Sequence, residues 1–551
     1  MNPATNGERS PLRIALLLDS FNQRSWVRKI IEDIESSSIA KVVLVVRNAA
    51  ELPHERRFVT YWRNRRHLLY ALYSRIDNGR VKIEPDAFAL DDVRSLIPAS
   101  PIIDVSPQMT KHTDSFSDSD IARLRDYKID VALAFGFRIL KGEILKVTKF
   151  GVWSYHHGDN LVNRGGPAGF WEVMDGHGVT GSILQVLTED LDNGKVIYRS
   201  WSPTADQFSV KANRNNLYWK SSTFVMRKLH DVYNDSGLQF EQELYRPYSA
   251  PLYKIPANNK LAAKLLRLTC RYVASKLEHA THAYQWALAY RFRTGPADTN
   301  NSFYRFKYLQ PANDRFWADP FPVNVDQRHY VFFEEYEYKA HKGHISVIEL
   351  DHTGMVAAPV QALSMDYHLS YPFIFEWQGM YYMIPESAAH RTIELYRCTA
   401  FPFKWELHAV LMDGIRAQDT TLFEQDGVWW MFFCAAERCV PDELYVYFAD
   451  TPLGPWKPHR LNPVKSDVRS SRPAGRLFYW NNELYRPAQD GSPRYGSAIS
   501  LNRIRRLDTD HFCETEVSKI LPAWRKDLRG THTINTAGDL TVIDCLIKRR
   551  R

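Results

Sequence analysis

The residue types best suited to acid–base chemistry lie between residues 151 and 194. A β-type run there ends in His156, and a second apolar run, Ser182 to Leu187, leads into an acidic turn that contains Asp192. Strands that end at the same edge of an open α/β sheet bring such side chains together where these folds bind ligands. A neutral imidazole suits proton transfer near pH 7, and a nearby carboxylate orients the ring and stabilises its charged form. The spacing therefore predicts a proton-transfer site.

This stretch resembles the formyltransferase family that uses N10-formyltetrahydrofolate, to which methionyl-tRNA, glycinamide ribonucleotide and sugar N-formyltransferases belong. The family pattern is Asn-x-His, a loop to Arg-Gly, a Trp, a Thr-Gly-Val-Thr strand and Asp-x-Gly. His156 falls on the catalytic His of this pattern, and Asp192, 36 positions later, falls on its acidic turn. Arg164 and Trp171 fall on the Arg-Gly pair and the Trp, and both are expected to contact the acceptor. The match extends over roughly the first two hundred residues.

The resemblance implies how these residues would move a formyl group to an amine. His156 is expected to act as general base or oxyanion donor, and Asp192 as its orienter and proton relay. Ser154 stands where the family has Asn, and a lost oxyanion donor costs on the order of 10²–10³ in rate. The missing donor could come from Asn160, Asn163 or His157. N10-formyltetrahydrofolate is the implied co-substrate.

Contacts with that co-substrate follow from the same resemblance. Phe135, Gly136 and Phe137 match the segment whose backbone lines the pterin slot, although a glycine required at a strand end explains Gly136 equally well. Asp190 is expected to join these contacts. The stretch from Arg56 to Arg66 is dense in arginine and aromatic residues. A solvated helix face is the favoured interpretation there, and binding of an acceptor phosphate is the other.

The composition of the whole chain narrows the class of protein. Its 551 residues predict two or three domains, and 44% hydrophobic with 24% charged residues is ordinary for a soluble globular chain. The six cysteines form no CxxC pair and no His/Cys cluster, so no metal and a reducing, cytoplasmic location are expected. The net charge of +8 comes with no nucleic-acid reader motif, and no GxGxxG follows the first strand. Nucleic acid and dinucleotide cofactors are therefore not expected ligands.

Three segments are predicted along the chain. Residues 12–205 indicate a Rossmann-like α/β formyltransferase domain, because strand, helix and strand alternate from Arg13 to Val46. Residues 206–300 indicate a helical extension and a basic linker. Residues 301–547 indicate an all-β five-bladed propeller.

The basic segment 254–293 has two interpretations. It contains eight Lys and Arg residues against Glu278 alone, and apolar residues recur near helical spacing from Leu261 to Leu277. A basic amphipathic helix of this kind can make a peripheral contact with an anionic membrane. A helix packed between two domains is the favoured alternative.

The second half of the chain repeats one theme about every fifty residues: a strand marked by Pro or Asp, a turn, and an aromatic strand. Five openings predict five propeller blades, and they begin at Trp317, Ser370, Gln418, Ser471 and Thr531. Further motifs are His368-Leu369-Ser370-Tyr371-Pro372, Pro385-Glu386-Ser387, Gly454-Pro455-Trp456-Lys457-Pro458-His459 and Tyr485-Arg486-Pro487-Ala488-Gln489-Asp490. With Trp317-Ala318-Asp319-Pro320, they resemble the propeller-like domain of plant glucosamine inositolphosphorylceramide transferases, which is related in shape to five-bladed glycoside hydrolases.

In such a propeller the opening strand of each blade lies innermost, so polar side chains converge on a central funnel that can bind substrate. The expected funnel residues are Asp319, His368, Asp419, Arg472, Arg486 and His532. Glycoside hydrolysis needs two suitably spaced carboxyl groups, for which Asp319 with Glu386 or Asp419 are candidates. However, Tyr371-Pro372 stands where the hydrolases carry an Asp. Sugar binding without cleavage, hydrolysis and a purely structural role are the three interpretations, and the first is preferred.

Together these features predict a formyltransferase that acts on the amine of a nucleotide- or lipid-linked amino sugar, with the propeller binding carbohydrate. The prediction that the acceptor is a sugar depends only on the β-rich half that is attached to this domain. The alternative is a carbohydrate-binding or glycan-processing protein whose formyltransferase-like domain is catalytically altered. The sequence leaves the oligomeric state open.

Overall fold

The N-terminal part of the chain is built on a parallel sheet in this computed structural model, which describes residues 9–50, 65–110, 112–189, 194–205, 208–235, 237–238, 240, 252–293, 302–435, 437–492 and 494–551. Its strands are β1 (Leu12–Leu18), β2 (Asn22–Arg24), β3 (Ala40–Asn48), β4 (Leu90–Asp92), β5 (Ile102–Val105), β6 (Gln108–Met109), β7 (Thr113–Ser115), β8 (Val131–Ala134), β9 (Ile139–Lys141), β10 (Val152–His156), β11 (Val179–Val186) and β12 (Lys195–Pro203). Seven of them pair in the order β12-β11-β10-β8-β1-β3-β5.

The predicted alternation of strand, helix and strand is confirmed. Strand β1 pairs in parallel with β3 and with β8, and its apolar run is buried because both faces of the sheet are covered. Strands β10, β11 and β12 run antiparallel and form one edge. The chain passes from β1 to β3 on one side and β8 lies on the other, so the sheet order reverses between β1 and β8. Ligands bind at such a reversal, beyond the carboxyl ends of the strands.

The helices are α1 (Ser25–Ser36), α2 (Leu68–Arg80), α3 (Asp118–Arg125), α4 (Phe170–Asp175), α5 (Val210–Ser221), α6 (Phe224–Asp235) and α7 (Asn258–Thr281). Helix α1 buries every large apolar side chain against the sheet, as its amphipathic sequence predicts. The single helix expected over residues 209–229 is two helices, separated at Ser222 and Thr223. None of the helices in the described ranges has the length and hydropathy needed to cross a bilayer.

The C-terminal part is all β and consists of five antiparallel sheets. Its strands are β13 (His282–Phe292), β14 (Lys307–Leu309), β15 (Arg315–Val325), β16 (Arg328–Glu337), β17 (Lys342–Leu350), β18 (Val360–Leu363), β19 (Ser370–Trp377), β20 (Met380–Ser387), β21 (Thr392–Ala400), β22 (Lys404–Asp413), β23 (Ala417–Gln425), β24 (Val428–Ala435), β25 (Glu443–Ala449), β26 (Lys457–Pro458), β27 (Lys465–Ser466), β28 (Phe478–Trp480), β29 (Glu483–Asp490), β30 (Ala498–Leu507), β31 (Phe512–Ile520), β32 (Leu528–Gly530), β33 (Ile534–Ala537) and β34 (Leu540–Arg550). Four sheets are consecutive: β15–β18, β19–β22, β23–β27 and β28–β31. The fifth joins the two ends of this part, because β13 pairs with β34 along eleven residues.

Three of the opening strands share one irregularity. The pairing register shifts at Ala318/Phe321, Ser370/Phe373 and Gln418/Thr421. Asp319, Tyr371 and Asp419 lie inside these bulges with φ of 52°, 44° and 54°. A bulge turns a side chain out of the ladder, and left-handed φ at a residue other than glycine is strained, which is common at functional sites.

Contacts divide the chain into two compact units, Met1–Cys270 and Arg271–Arg551, where the sequence predicts three segments. The expected helical extension does not stand apart, because Asn213 of α5 bonds Thr180 of β11. Strand β13 belongs to the C-terminal unit through its pairing with β34.

Candidate functional site

A cleft of about 550 Å³ opens at the carboxyl ends of β8 and β10. Ser154 and His156 of β10 line it, together with Phe135 and Phe137, which follow β8. The loop after β11 closes another side through Thr188 and Glu189. The sheet therefore gathers these four side chains in one space.

His156 is half-buried at the last position of β10, opposite Ile183 of β11. Its Nε2 lies 3.4 Å from the carbonyl oxygen of Asn163, so the ring faces the loop that follows the strand. Gly158 is required beside it, because a Cβ there would lie 2.9 Å from Nε2. Ser154 is on the same face of the strand, two residues earlier.

The predicted partners Asp190 and Asp192 lie outside the described residues. The residues that flank this gap, Glu189 and Gly194, both line the cleft.

Aromatic rings form the inner wall of the cleft. His157 stacks on Tyr218, with ring centroids 3.6 Å apart, and Trp26 meets Phe135 edge-on. Burial is the main cause that lowers the pKa of His157 well below its usual value, and the positive charge of Arg214 adds to the effect. His157 is therefore a neutral ring, and its Nδ1 has no hydrogen-bond partner among the described residues.

Asp159 fixes the loop after His156. Its carboxylate accepts from Arg199 Nη1 at 2.6 Å and from Trp201 Nε1 at 3.0 Å, so both oxygens are tied to β12. Its carbonyl accepts from Asn163 N at 2.8 Å. The buried Asp159–Arg199 pair holds the Asn163 carbonyl against His156. The sequence alone gave no role to Asp159.

Of the three alternative oxyanion donors, Asn163 is already engaged. Its side-chain amide donates to Glu172 at 2.7 Å. Burial raises the pKa of that Glu172 carboxyl. Asn160 accepts from Arg199 through its side-chain oxygen. His157 also lines the cleft, but its Nδ1, which has no partner among the described residues, is a buried atom.

Gly136 has a structural role. A Cβ there would lie 1.9 Å from the amide nitrogen of Asp19, because the end of β8 presses against the chain leaving β1. The amides of Phe135 and Gly136 both donate to the Leu17 carbonyl at 3.0 Å. Of the two explanations for this glycine, the close approach of two backbones is the one observed.

Arg164 and Trp171 are placed away from the cleft lining. The Arg164 side chain donates to the Asn160 carbonyl at 3.1 Å, and its own carbonyl accepts from Tyr253 N at 2.8 Å. Trp171 is only 3% exposed and donates to the Gly166 carbonyl at 3.2 Å. These contacts pack the loop and α4 against the segment that precedes α7.

The C-terminal unit holds a second constellation, which is almost wholly buried. Asp419 accepts from Arg472 and from Gln489 Nε2 at 2.7 Å, and its amide donates to Glu386 at 3.2 Å. Asp319 accepts from Thr533 at 2.6 Å, and its carboxyl lies 3.6 Å from His532 Nε2. Four of the predicted funnel residues therefore meet: Asp319, Asp419, Arg472 and His532.

This cluster contains more acidic than basic groups, and their pKa values are shifted by burial and by one another's charges. Burial raises the pKa of Asp319 to about 6. Burial, reinforced by neighbouring carboxylates, raises the pKa values of Glu334 and Glu386 well above the usual range. The pKa of His532 is raised although burial alone would lower it, because Asp544 and Asp319 attract its charged form. The cluster thus retains protons at mildly acidic pH.

Asp319, His532 and Asp544 each offer one ligand atom within 4.8 Å of the others, a set able to hold a metal ion. The sequence led us to expect no metal, whereas the geometry of these three side chains could hold one. The same atoms form an ion-pair network, since His532 Nδ1 contacts Asp544 and the His532 amide donates to Asp544 at 2.8 Å. A metal needs a neutral imidazole and the network needs a charged one, so the two arrangements exclude each other.

The two remaining funnel residues lie differently. His368 accepts from Gly343 N at 2.9 Å and lies 3.4 Å from Glu334, which connects it to the cluster. Arg486 is fully buried and bonds Glu514 at 2.6 and 2.9 Å and the Ser470 carbonyl at 2.5 Å. Arg486 therefore belongs to an internal ion pair, because its guanidinium nitrogens donate hydrogen bonds to protein groups.

Sequence reasoning missed Glu334 and Asp544. Asp544 is the one acid of β34 and lies within its apolar stretch, and Glu334 lies in the aromatic β16. A charged residue inside a run that must be buried is the signal that could have found both.

Comparisons with known proteins match the two units separately. Residues 307–537 match the family described as "Glucosamine inositolphosphorylceramide transferase 1, N-terminal". The rice protein Glucosamine inositolphosphorylceramide transferase 1 (Oryza sativa subsp. japonica) is 36% identical over 214 residues, which is 38% of this chain and 28% of that protein. The chain thus spans less than a third of this relative.

The N-terminal region is similar to formyltransferases. Methionyl-tRNA formyltransferase of Bacteroides thetaiotaomicron is 24% identical over 151 residues, 27% of this chain and 44% of that protein. Among solved structures, a family 117 glycoside hydrolase of Zobellia galactanivorans aligns with a TM-score of 0.33 and 14% identity, over 47% of this chain and 90% of that one. A score this low does not establish a shared fold.

Proposed function

We propose that the N-terminal unit transfers a formyl group from N10-formyltetrahydrofolate to the amine of an amino sugar. The observation that carries the proposal is the placement of Ser154 and His156 with Phe135 and Phe137 in one cleft at the carboxyl ends of the strands. Similarity of this region to methionyl-tRNA formyltransferases supports the same reaction class.

The cleft fits the proposed co-substrate. Its volume of about 550 Å³ lies within the range of sites for molecules of this size. Phe135 and Phe137 supply apolar walls for a flat ring, and the neutral ring of His157 lines the same cleft. The folate supplies the formyl carbon.

Side chains of the protein carry out the proton transfers in this proposal. One C–N bond breaks at the donor nitrogen while another forms at the acceptor amine, so one proton leaves the amine and one reaches the donor nitrogen. In the proposal, His156 accepts the first and Asp192 orients the ring and relays the second. Ser154 or His157 donates a hydrogen bond to the developing oxyanion.

Mass spectrometry tests the proposal directly. The protein is incubated with N10-formyltetrahydrofolate and a panel of free, nucleotide-linked and lipid-linked amino sugars, and each product is examined for a gain of one formyl group. His156→Ala should abolish the gain, whereas His230→Ala, an exposed histidine on α6, should not. Activity that survives His156→Ala would reject the assignment.

Ser154→Asn provides a test in the opposite direction. It restores the residue of the family pattern, so formyl transfer should rise by about 10- to 100-fold if the weak point of the site is a missing oxyanion donor. An unchanged rate would mean that another group already provides this hydrogen bond.

For the C-terminal unit we propose a five-bladed propeller that binds carbohydrate in its cavity. Support comes from the pairing of β13 with β34 and from a cavity of about 470 Å³ lined by Pro322, Phe373, Leu422, Leu477 and Thr536, which belong to or adjoin the opening strands of the five sheets. Similarity to the plant transferase family agrees with a glycan ligand.

Heat stability separates this from the alternative, a glycan-binding protein with an altered formyltransferase-like unit. A ligand at 100 times its dissociation constant stabilises by about 2.7 kcal/mol. A shift with reduced folate supports the transferase, whereas a shift with glycans alone supports the alternative. A cytoplasmic location belongs to the same proposal, since Cys398, Cys434 and Cys545 are buried thiols.

A further inference from the structure

Helix α7 carries an apolar stripe that is exposed to solvent. It consists of Leu266, Cys270, Val273 and Leu277, whose spacing places them on one face of the helix. Leu266, Val273 and Leu277 are 67%, 47% and 60% exposed, and Cys270 is also exposed. An apolar row of this length on a protein surface marks an interaction site.

The opposite face of α7 already forms a core. Leu261 and Leu268 are buried in a cluster with Phe170 and Trp171 of α4. The stripe is therefore a second apolar face, and folding of the unit does not use it. Helix α1 shows the ordinary case, because all of its large apolar side chains face the sheet.

The neighbouring helix α2 repeats the arrangement. Its inner side chains Leu69, Tyr70 and Tyr73 pack against the same cluster as Leu261. Its outer side chains Leu68, Leu72 and Ile76 recur every four residues and are each about half exposed. Two adjacent helices thus present apolar rows in addition to their packed faces.

Charge decides which partner fits. Helix α7 contains five basic residues and one acidic residue, and Lys260, Arg267 and Lys276 are exposed. A second copy of the chain would bring like charges together, whereas an anionic lipid surface would attract them. A helix with an apolar row and basic flanks lies in the headgroup region of such a surface. We propose that the α7 stripe docks this protein on anionic phospholipid membranes.

A fluorescent label on the stripe tests the proposal in the full-length chain. An environment-sensitive dye is attached at Cys270 in a Cys439→Ser/Cys513→Ser background, and at the exposed Cys513 of β31 in a Cys270→Ser/Cys439→Ser background. Vesicles of phosphatidylcholine with roughly one third phosphatidylglycerol should shift the emission of the first label to the blue and leave the second unchanged. Pure phosphatidylcholine should have little effect. No shift at Cys270, or equal shifts at both sites, would overturn the proposal.

Substitutions with matched controls complete the test by vesicle co-sedimentation. Leu266→Glu/Val273→Glu should weaken binding about tenfold or more, because charges replace the inserted side chains. Leu407→Glu/Val410→Glu alters two similarly exposed apolar residues on β22 and should change nothing. Arg267→Gln/Lys276→Gln should weaken binding mainly at low salt.

Circular dichroism establishes that each variant is folded. If the first pair instead abolishes a dimer seen by light scattering without vesicles, the stripe binds a second copy and the lipid proposal is wrong. Formyl transfer to a water-soluble acceptor should be unaffected by the stripe variants, so the outcome is independent of the proposed reaction.

Discussion

The two units place their titratable groups in opposite surroundings. In the N-terminal unit, His156 borders an open cleft, and its Nε2 lies 3.4 Å from the backbone carbonyl oxygen of Asn163. The C-terminal unit buries Asp319, Asp419 and His532 almost completely. The two carboxylates accept hydrogen bonds from buried neighbouring side chains. A site that must meet substrate is open to solvent, whereas a buried cluster pairs its charges internally. The comparison indicates where chemistry and where stability are concentrated.

The largest expected effect is on the internal ion pair of the C-terminal unit. Arg486→Met leaves the buried Glu514 with Lys465 alone, and removing one partner of a buried pair costs about 3–5 kcal/mol. Adding Glu514→Gln should restore a large part of this loss. Urea unfolding of the single and double variants measures both effects. A single variant as stable as the parent would show that Arg486 is free for ligand, as the sequence suggested.

Gly136→Ala tests the close approach that shapes the cleft. The added Cβ would meet the Asp19 amide, so we expect a loss of about 3 kcal/mol and weaker folate binding. Gly79→Ala in α2 is the matched control, because no atom lies within 4 Å of its Cβ and alanine is the better helix former. Thermal unfolding with and without folate distinguishes them, and equal effects would contradict the structural role of Gly136.

Asp159→Asn should loosen the loop that faces His156. It removes the charge paired with Arg199, and a hydrogen bond to a charged group contributes about 1.5–3 kcal/mol. We expect lower kcat, because His156 loses its fixed neighbour, with only a modest change in KM for the acceptor. Single-turnover kinetics measures this. A rate equal to that of the parent would mean that the loop does not position the ring.

The smallest predicted effect is a pH dependence confined to the buried cluster. The pKa of Asp319 is raised by burial to about 6, so the folded state holds a proton that the unfolded state releases near pH 4. Stability is therefore greater below the folded pKa and falls as pH rises through it, by about 1 kcal/mol between pH 5 and pH 7. Glu334, Glu386 and His532 act in the same direction.

Thermal scans from pH 5 to pH 8 detect this slope. Asp319→Asn should reduce the slope by its own contribution, whereas Asp351→Asn, an exposed acid in the same unit, should leave it unchanged. Stability that rises over this range would contradict the direction given for these pKa values.

The local sequence pattern was enough to predict the strands and helices that have a clear hydrophobic period of their own. The apolar run of β1, the amphipathic α1 and the aromatic strands β16, β20, β24 and β29 were all predicted near their observed bounds. Ser154 and His156 lie at the end of β10 and line one cleft, because a strand end fixes where its last side chains lie. The break between α5 and α6 could not be predicted from the sequence. The helix is interrupted at Ser222 and Thr223 by the hydrogen bonds of their backbone amides, which residue type does not reveal.

What the sequence determined by itself is the class of each half and the strand-end histidine, because hydrophobic period and residue type are local properties. Tertiary structure alone decided that Arg486 belongs to an ion pair and that Trp171 packs against Tyr253. It also decided that Asp159 holds the loop after His156, and that Asp544 and Glu334 join Asp319. These facts depend on which distant segments meet. Burial then sets the charge and the partners of every group gathered there.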